Sequence, residues 1–391
     1  MPEPSRRIAT LTGDGDDGWA IFYRARAMKA RGMAVLELTI GEHDIGTAPD
    51  IVDALCRAAR DGHTGYAAVP GTDGLRAAVA ARLSARHGVG YGVQNILITP
   101  GAQAGLFAAH HAVCDDGDGA LMIDPYYVTY PGTIRAVGAR PIAVGARSED
   151  GFQPDLAALA AAAPGARSLL INSPNNPTGA VYSTASLHGI ATIAQDHDLW
   201  VISDEVYDTQ IWAGRHQPIA ALPGMAARTL TVGSLSKSHA MTGSRLGWVC
   251  GPEAVIAHMV NLATHTTYGV PGYIQDAGLF ALGQGAAVEA AVAAPFARRR
   301  ARLLERIAGH PIIRAIPPQG AMYVMLDIRA TGLSGAEFAA RLLEDQQVAV
   351  MPGESFGQAA AGHLRVALTL PDAEFDLAIT RLLRFVDGLG A

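Results

Sequence analysis

The stretch TLTVGSLSKSHAMTGSRLGW, residues 229–248, decides how this chain is expected to fold. It opens on an apolar run and then sets one lysine, Lys237, among Ser234, Ser236 and Ser238, with Arg245 eight positions on. A strand covered by helices on both faces has no polar side, so polar residues begin where the cover ends. Four more runs share this texture: NILIT (95–99), GALMID (119–124), RSLLINS (167–173) and LWVISD (199–204). They alternate with helical patterns such as GAQAGLFAAHHAV and SLHGIATIAQDHD. That alternation implies an α/β fold whose parallel strands are joined by right-handed crossovers. Ligands of such sheets bind beyond the carboxyl ends of the strands, so chemistry is expected just after each run.

The texture changes near residue 281. An Ala- and Arg-rich helical stretch (286–308) leads to PPQGAMYVMLDI, a helix, VAVMPGESFG, HLRVALTL and a last helix. This reads as a smaller α+β domain over 281–391. Residues 1–45, with the helix WAIFYRARAMKARG, are expected to pack with it, leaving 46–280 as the large domain. No internal repeat is present, and LAALAAAAPGA reads as a surface helix.

Composition excludes several classes. Of 391 residues, 49% are hydrophobic and 17% charged, enough to bury a large core. A net charge of -6 does not suit a nucleic-acid surface, and ARRRAR near Arg298 reads as a solvated helix face. Cys56, Cys114 and Cys250 are widely spaced and odd in number, without a disulfide framework or zinc spacing. With no apolar leader and no apolar stretch of about 18 residues, no membrane partner is expected and the cytoplasm is the expected location.

Three patterns fail on their context. GDGDDG (13–18) spells a dinucleotide fingerprint, but aspartates would repel a pyrophosphate and no strand precedes it, so a loop is expected. His110 and His111 are adjacent on a helical run and cannot chelate one metal together. H-E-x-x-H does not occur, no nucleophile elbow of a serine hydrolase is expected, and no metal site is expected.

The strand ends are richer. In TPGAQAG (99–105), the backbone N–H groups of Gly101, Ala102 and Gln103 form either an ordinary strand-to-helix turn or a phosphate cradle. INSPNNPTG (171–179) makes a rigid turn from which Asn176 can project an amide over the sheet edge. In VISDEVYD (201–208), Asp204 either caps a helix or faces the site, where it would seek a cationic ring nitrogen or an arginine. Glu205 should point to the opposite face. Around Lys237, hydroxyls and a guanidinium suit a phosphate, and the amine can bond an aldehyde. Pyridoxal phosphate carries both groups, and a desolvated lysine near other cations has the depressed pKa that imine formation needs.

Together, NSPNNPTG, SDEVY, SLSKSHAMTGSRLGW and the arginine of HLRVAL resemble the class I/II aminotransferases of pyridoxal-phosphate fold type I, aspartate aminotransferase-like. The resemblance spans nearly the whole chain, from LTIGEHDIGTAP through YAAVPGTDGLRAAVA and PYYVTYPG to VMPGESFG. It implies a large domain with a mostly parallel seven-stranded sheet covered by helices, and a smaller α+β domain. It implies that Lys237 holds the cofactor through an imine and that Asp204 pairs with the protonated ring nitrogen. Asn176 and Tyr207 would hydrogen-bond the phenolic oxygen. Ser234, Ser236 and Arg245, with the amides of Gly101, Ala102 and Gln103, would bind the phosphate. Tyr127 would stack on the ring, and Tyr66 would reach the phosphate in a second subunit of a homodimer. Arg365 would grip the substrate α-carboxylate with the Gly41 backbone nearby. One departure is GEHD, where the family commonly has proline at the position of His43.

The implied chemistry moves an amino group from an amino acid to a 2-oxo acid in two half-reactions. Lys237 would carry the α-proton as base and then acid. Dicarboxylate-specific relatives use a further arginine that has no match here. The expected donor is therefore neutral or aromatic, with Trp19, Ile21, Tyr23 and Tyr268 as pocket candidates and 2-oxoglutarate or pyruvate as acceptor. The same motifs would also serve a carbon–sulfur β-lyase, a decarboxylase or a cyclopropane-forming synthase. A non-enzymatic effector-binding domain would need a basic helix-turn-helix segment, for which no room is expected before residue 19.

Overall fold

A computed structural model describes residues 2–13 and 18–389, so residues 14–17 of the expected GDGDDG loop lie outside the described residues. The first strand, β1 (Leu36–Leu38), joins a sheet completed only near the C-terminus. Seven strands then build the larger sheet: β2 (Ile96–Pro100), β3 (Gly119–Asp124), β4 (Arg140–Gly145), β5 (Ala166–Asn172), β6 (Trp200–Asp204), β7 (Thr229–Ser234) and β8 (Leu246–Cys250). Their order is β2-β8-β7-β6-β5-β3-β4. β4, β3, β5, β6 and β7 run parallel, while β8 is antiparallel to both β7 and β2.

The five apolar runs of the sequence are β2, β3, β5, β6 and β7. Their side chains pack into clusters on the two faces of the sheet, as parallel strands between helices require. Two further strands lacked that signal. β4 is a half-exposed edge strand, so its composition never becomes uniformly apolar. β8 begins within the tail of the lysine motif, so its sequence is not set off as a separate run.

β9 (Arg314–Ile316), β10 (Tyr323–Asp327), β11 (Val348–Pro352) and β12 (His363–Ala367) complete the second sheet, in the order β1-β11-β12-β10-β9. Here β1 pairs parallel to β11 and the other pairings are antiparallel. The helix Ala20–Ala30 lays Ile21, Ala25 and Met28, one face at helical spacing, into the core of this sheet. The same rotation leaves Tyr23 56% exposed.

The helix Ala286–Ile307 joins the two sheets. Its buried stripe is Glu289, Ala293, Phe296, Arg299, Leu303 and Ile307, and the charged members are paired. Glu289 meets Arg82 and Arg86, and Arg86 also reaches Asp208 at 2.5 Å. Arg299, read from sequence as part of a solvated face, is only 3% exposed. Its position in the stripe turns it inward, onto Asp44 (2.7 Å) and Asp372 (2.8 Å). All three cysteines are free, and no single described helix is long and apolar enough to cross a membrane.

Glycine matters at one packing point of the larger sheet. Gly233 in β7 faces Trp248 in β8, and a Cβ there would lie 2.5 Å from the indole. Gly233→Ala should displace the ring and lower stability by about 1–3 kcal/mol. Urea denaturation followed by far-UV circular dichroism checks this, and an unchanged midpoint would contradict it.

Candidate active site

Asn172, Asp204 and Ser234 end β5, β6 and β7, three neighbouring parallel strands, so their side chains meet at one sheet edge. A cavity of about 300 Å³ opens there. The Gly101–Val113 helix, the lysine turn, the segment after β1 and β12 of the second sheet close its walls.

Lys237 lies in a one-turn helix, Leu235–Ser238, capped by Ser234, whose Oγ accepts from the Ser236 N–H at 3.0 Å. The Lys237 amine donates to the Gly41 carbonyl. Burial, with Arg245 and Arg365 nearby, lowers its pKa to about 8, partly opposed by Glu42. Such an amine is substantially uncharged, and nucleophilic, at mildly alkaline pH.

Asp204 accepts a hydrogen bond from the Tyr130 hydroxyl at 2.7 Å and faces the cavity. Burial raises its pKa to about 6, against the Tyr130 bond and with a push from Glu205. A cation brought against it would restore its charge. Glu205 points away, accepting from Ser203 at 2.8 Å and lying 3.0 Å from His216 and 3.6 Å from His87. Burial alone would raise the Glu205 pKa, but the histidines hold it below the ordinary range.

The phosphate candidates converge as well. Arg245 sits in left-handed backbone (φ 50°), an uncommon conformation for a side chain of its size. Its Nη1 donates to the Thr242 carbonyl at 2.8 Å, and the guanidinium lies against Gly101, where any Cβ would collide with it. Gly101 also has φ +78°, so glycine is required twice over. The Gln103 side chain is engaged by Thr133 (2.7 Å) and Thr129 (3.0 Å), leaving its backbone at the helix start toward the cavity. Arg245, Ala102, Gln103, Ser234 and Ser236 therefore border one anion-binding corner.

Arg365 is buried on β12 between Tyr323 (4.5 Å to the ring centroid) and Phe356 (4.3 Å). It donates to Asn176 Oδ1 at 2.8 Å and to the Thr39 carbonyl. Its Nε has no partner, and no carboxylate among the described residues pairs with it. Burial lowers its pKa. A buried cation without a counter-ion marks a site for an anion. Tyr323 holds a second position, its hydroxyl 3.0 Å from that of Tyr207 and so close to Gly41 that a Cβ there would collide with it.

The structure thus gathers Lys237, Asp204, Tyr207, Asn176, Tyr127, Ala102, Gln103, Ser234, Ser236, Arg245, Gly41 and Arg365 around one cavity, with Gly101 beneath Arg245. Tyr66 stands apart, 92% exposed and edge-on to Tyr268 at 5.1 Å. Of the four apolar pocket candidates, Trp19 lines the cavity. Ile21 packs in the second core, and Tyr23 and Tyr268 are exposed, because their elements turn them away. Sequence reasoning missed Tyr130, Asn172, Tyr323 and Phe356. All four lie inside quoted stretches, but Tyr323 and Phe356 reach the site only because β10 and β11 pair with β12. One overlooked signal is that the chain has just two lysines, Lys29 and Lys237.

Comparison with known proteins agrees with this geometry. The family model for aminotransferase class I and II matches residues 34–382. The chain is 43% identical over 361 residues to the arginine–pyruvate transaminase of Pseudomonas aeruginosa, covering 92% of each. It is 35% identical over 371 residues to the aspartate/prephenate aminotransferase of Thermus thermophilus, covering 93% of this chain and 94% of that one. Its fold is similar to that of Thermus thermophilus aspartate aminotransferase solved with maleate, with a TM-score of 0.92, 34% identity, and 98% and 100% of the two chains covered. With a lysine, a carboxylate, an anion corner and a buried arginine at the edge of this sheet, the chain belongs to the class I and II aminotransferases, pyridoxal-phosphate-dependent enzymes that transfer an amino group to a 2-oxo acid.

Proposed function

We propose that the cavity around Lys237 takes an amino donor whose side chain carries no carboxylate, with a small 2-oxo acid such as pyruvate as acceptor. The observation that carries this reading is the set of cations in the cavity wall: Lys237, Arg245 and Arg365, with no further lysine or arginine among the described residues. Each has a task, so none is left for a second carboxylate. Glu42, also in the wall, would repel one. Trp19 and Leu106 offer apolar surface for a neutral or aromatic side chain, and Glu42 suits a cationic one. The name of the arginine–pyruvate transaminase supports both the donor class and the acceptor.

The residues present fit pyridoxal phosphate. Arg245 over Gly101 would cradle a phosphate with Ser234, Ser236 and the amides of Ala102 and Gln103. Asp204, its charge held by Tyr130, would keep a ring nitrogen protonated. Asn176 and Tyr207 would orient the phenolic oxygen, and Tyr127 would cover a ring face. When bound, the cofactor supplies a sink for the electrons of the donor's Cα–H bond. Arg365 would fix the donor's α-carboxylate, aided by Asn176 and the Gly41 backbone. Lys237 would take the proton from Cα and return it one step later, which a pKa near 8 allows.

The reading extends to assembly and organisation. Tyr66 lies outside its own chain's cavity, and Val52, Leu279 and Phe280 expose apolar surface on nearby helices, which supports a homodimer that shares Tyr66 across its sites. Residues 1–45 with 281–391 would form one body and 46–280 the other. The three free cysteines suit the cytoplasm.

Lys237→Ala should keep the far-UV circular dichroism of the wild type and lose both the cofactor's visible absorbance and turnover; retained turnover would refute the assignment. In half-reactions followed by absorbance, neutral, aromatic or basic donors should outrun aspartate and glutamate, and a preference for aspartate over every other donor would overturn the substrate reading. Arg365→Met should raise KM for all donors by about 10²-fold through loss of a charge-assisted contact. Because the arginine's charge is buried and unpaired, the apoprotein of that variant should melt no lower than wild type by calorimetry.

A further inference from the structure

His43, where the resemblance leads one to expect proline, has surroundings that give it a task. It follows β1 on a segment that touches residues 237–242 four times. Gly41 receives the Lys237 amine, and the Thr242 hydroxyl donates to Glu42 at 3.4 Å. Thr47 donates to the Ala240 carbonyl at 2.8 Å, and His43 Nε2 lies 3.0 Å from the Lys237 carbonyl oxygen. Asp44, next in the chain, is held by the buried Arg299. The segment is therefore anchored both to the lysine turn and to the helix that joins the two sheets.

The backbone at Lys237 needs such support. Leu235–Ser238 is a single turn, too short to be stable alone, and the carbonyls at a helix end lack intrahelical partners. The Lys237 carbonyl instead accepts from two side chains, His43 Nε2 and Gln210 Nε2 (3.3 Å). A carbonyl can only accept, so the His43 proton sits on Nε2, which fixes the tautomer. The ring is buried edge-on against Phe296, 5.2 Å between centroids, and its Nδ1 is without a partner. Burial, and then the Lys237 charge, lower its pKa to about 4, so it remains a neutral donor across the physiological range. Proline, with no donor in its side chain, cannot make this bond.

We propose that His43 is a positioning residue for Lys237: its Nε2–H holds the lysine's carbonyl and so couples the seating of the 41–44 segment to the placement of the amine. The inference rests on the reading of Lys237 as the reacting amine. His43→Leu removes the donor at similar bulk, and His43→Gln restores one. If His43→Leu is insoluble, His43→Met, whose flexible chain fills irregular space, takes its place.

Two readouts are needed. In the apoprotein, an amine-acylating reagent followed by peptide mapping reports the Lys237 amine against pH, with Lys29 as the internal reference. In the holoenzyme, kcat and KM are measured with one donor. Loss of the donor should loosen the lysine turn and expose the half-buried amine further, which raises its proton affinity. Labelling of Lys237 near pH 8 should then slow at least about threefold relative to Lys29. A misplaced amine should lower kcat by about tenfold with a smaller change in KM, and the glutamine variant should recover most of both effects. Wild-type labelling and kcat in the leucine variant would overturn the proposal. So would an unchanged labelling profile beside a lowered melting temperature, or failure of glutamine to rescue, since either makes the ring mere packing. Borohydride reduction of wild-type holoenzyme serves as the control: a tag on any residue but Lys237 overturns the underlying reading, whereas a tag on Lys237 with normal variants overturns this inference alone.

Discussion

A half-buried amine, held by a backbone carbonyl at the carboxyl edge of a parallel sheet, is the constraint on which the rest of this structure depends. Burial lowers the Lys237 pKa to about 8, and two arginines in the same cavity push in the same direction. Desolvation by itself would be a cost, because charged groups are expensive to bury. The fold offsets it by placing an acceptor at each end of the problem: the Gly41 carbonyl for the amine, and Asp204 across the cavity for positive charge. The cavity is thus balanced to receive an anion and a cationic ring together.

The same logic explains why two sheets are needed. The larger sheet supplies Asn172, Asp204 and Ser234 from the ends of three adjacent strands. The smaller sheet supplies Arg365, clamped between Tyr323 and Phe356 with its Nε unsatisfied. The segment 39–47 stitches one to the other through Thr39 to Arg365, His43 to Lys237 and Asp44 to Arg299. A displacement of either sheet would move Arg365 relative to Lys237, and orientation errors on the ångström scale weigh heavily on rate.

Much of this was legible in the sequence. Five nearly all-apolar runs announced a covered parallel sheet, because strands buried on both faces admit no polar alternation. The residues after those runs, Asn176, Asp204 and Lys237 among them, could be singled out because ligands gather at strand carboxyl ends. The half-exposed β4 escaped, since an edge strand mixes polar and apolar residues as a loop does. Arg299 was misread for a related reason: in a run of arginines, only the helical stripe and the distant Asp44 reveal which one turns inward. Trp19, Ile21 and Tyr23 were grouped as pocket residues, yet helical rotation sends each a different way.

By itself the sequence determined the layered α/β architecture and the class of cofactor chemistry, and it named candidate residues for that chemistry, because hydrophobic periodicity and residue type are local properties of the chain. Only the tertiary structure decided which tyrosine supports Asp204, which rings clamp Arg365, that Tyr66 stands outside its own cavity, and that His43 supports the lysine's carbonyl. Those facts depend on register between strands and on contacts between residues hundreds of positions apart. No local pattern encodes such contacts, since they exist only once packing has brought the two sheets to a common edge.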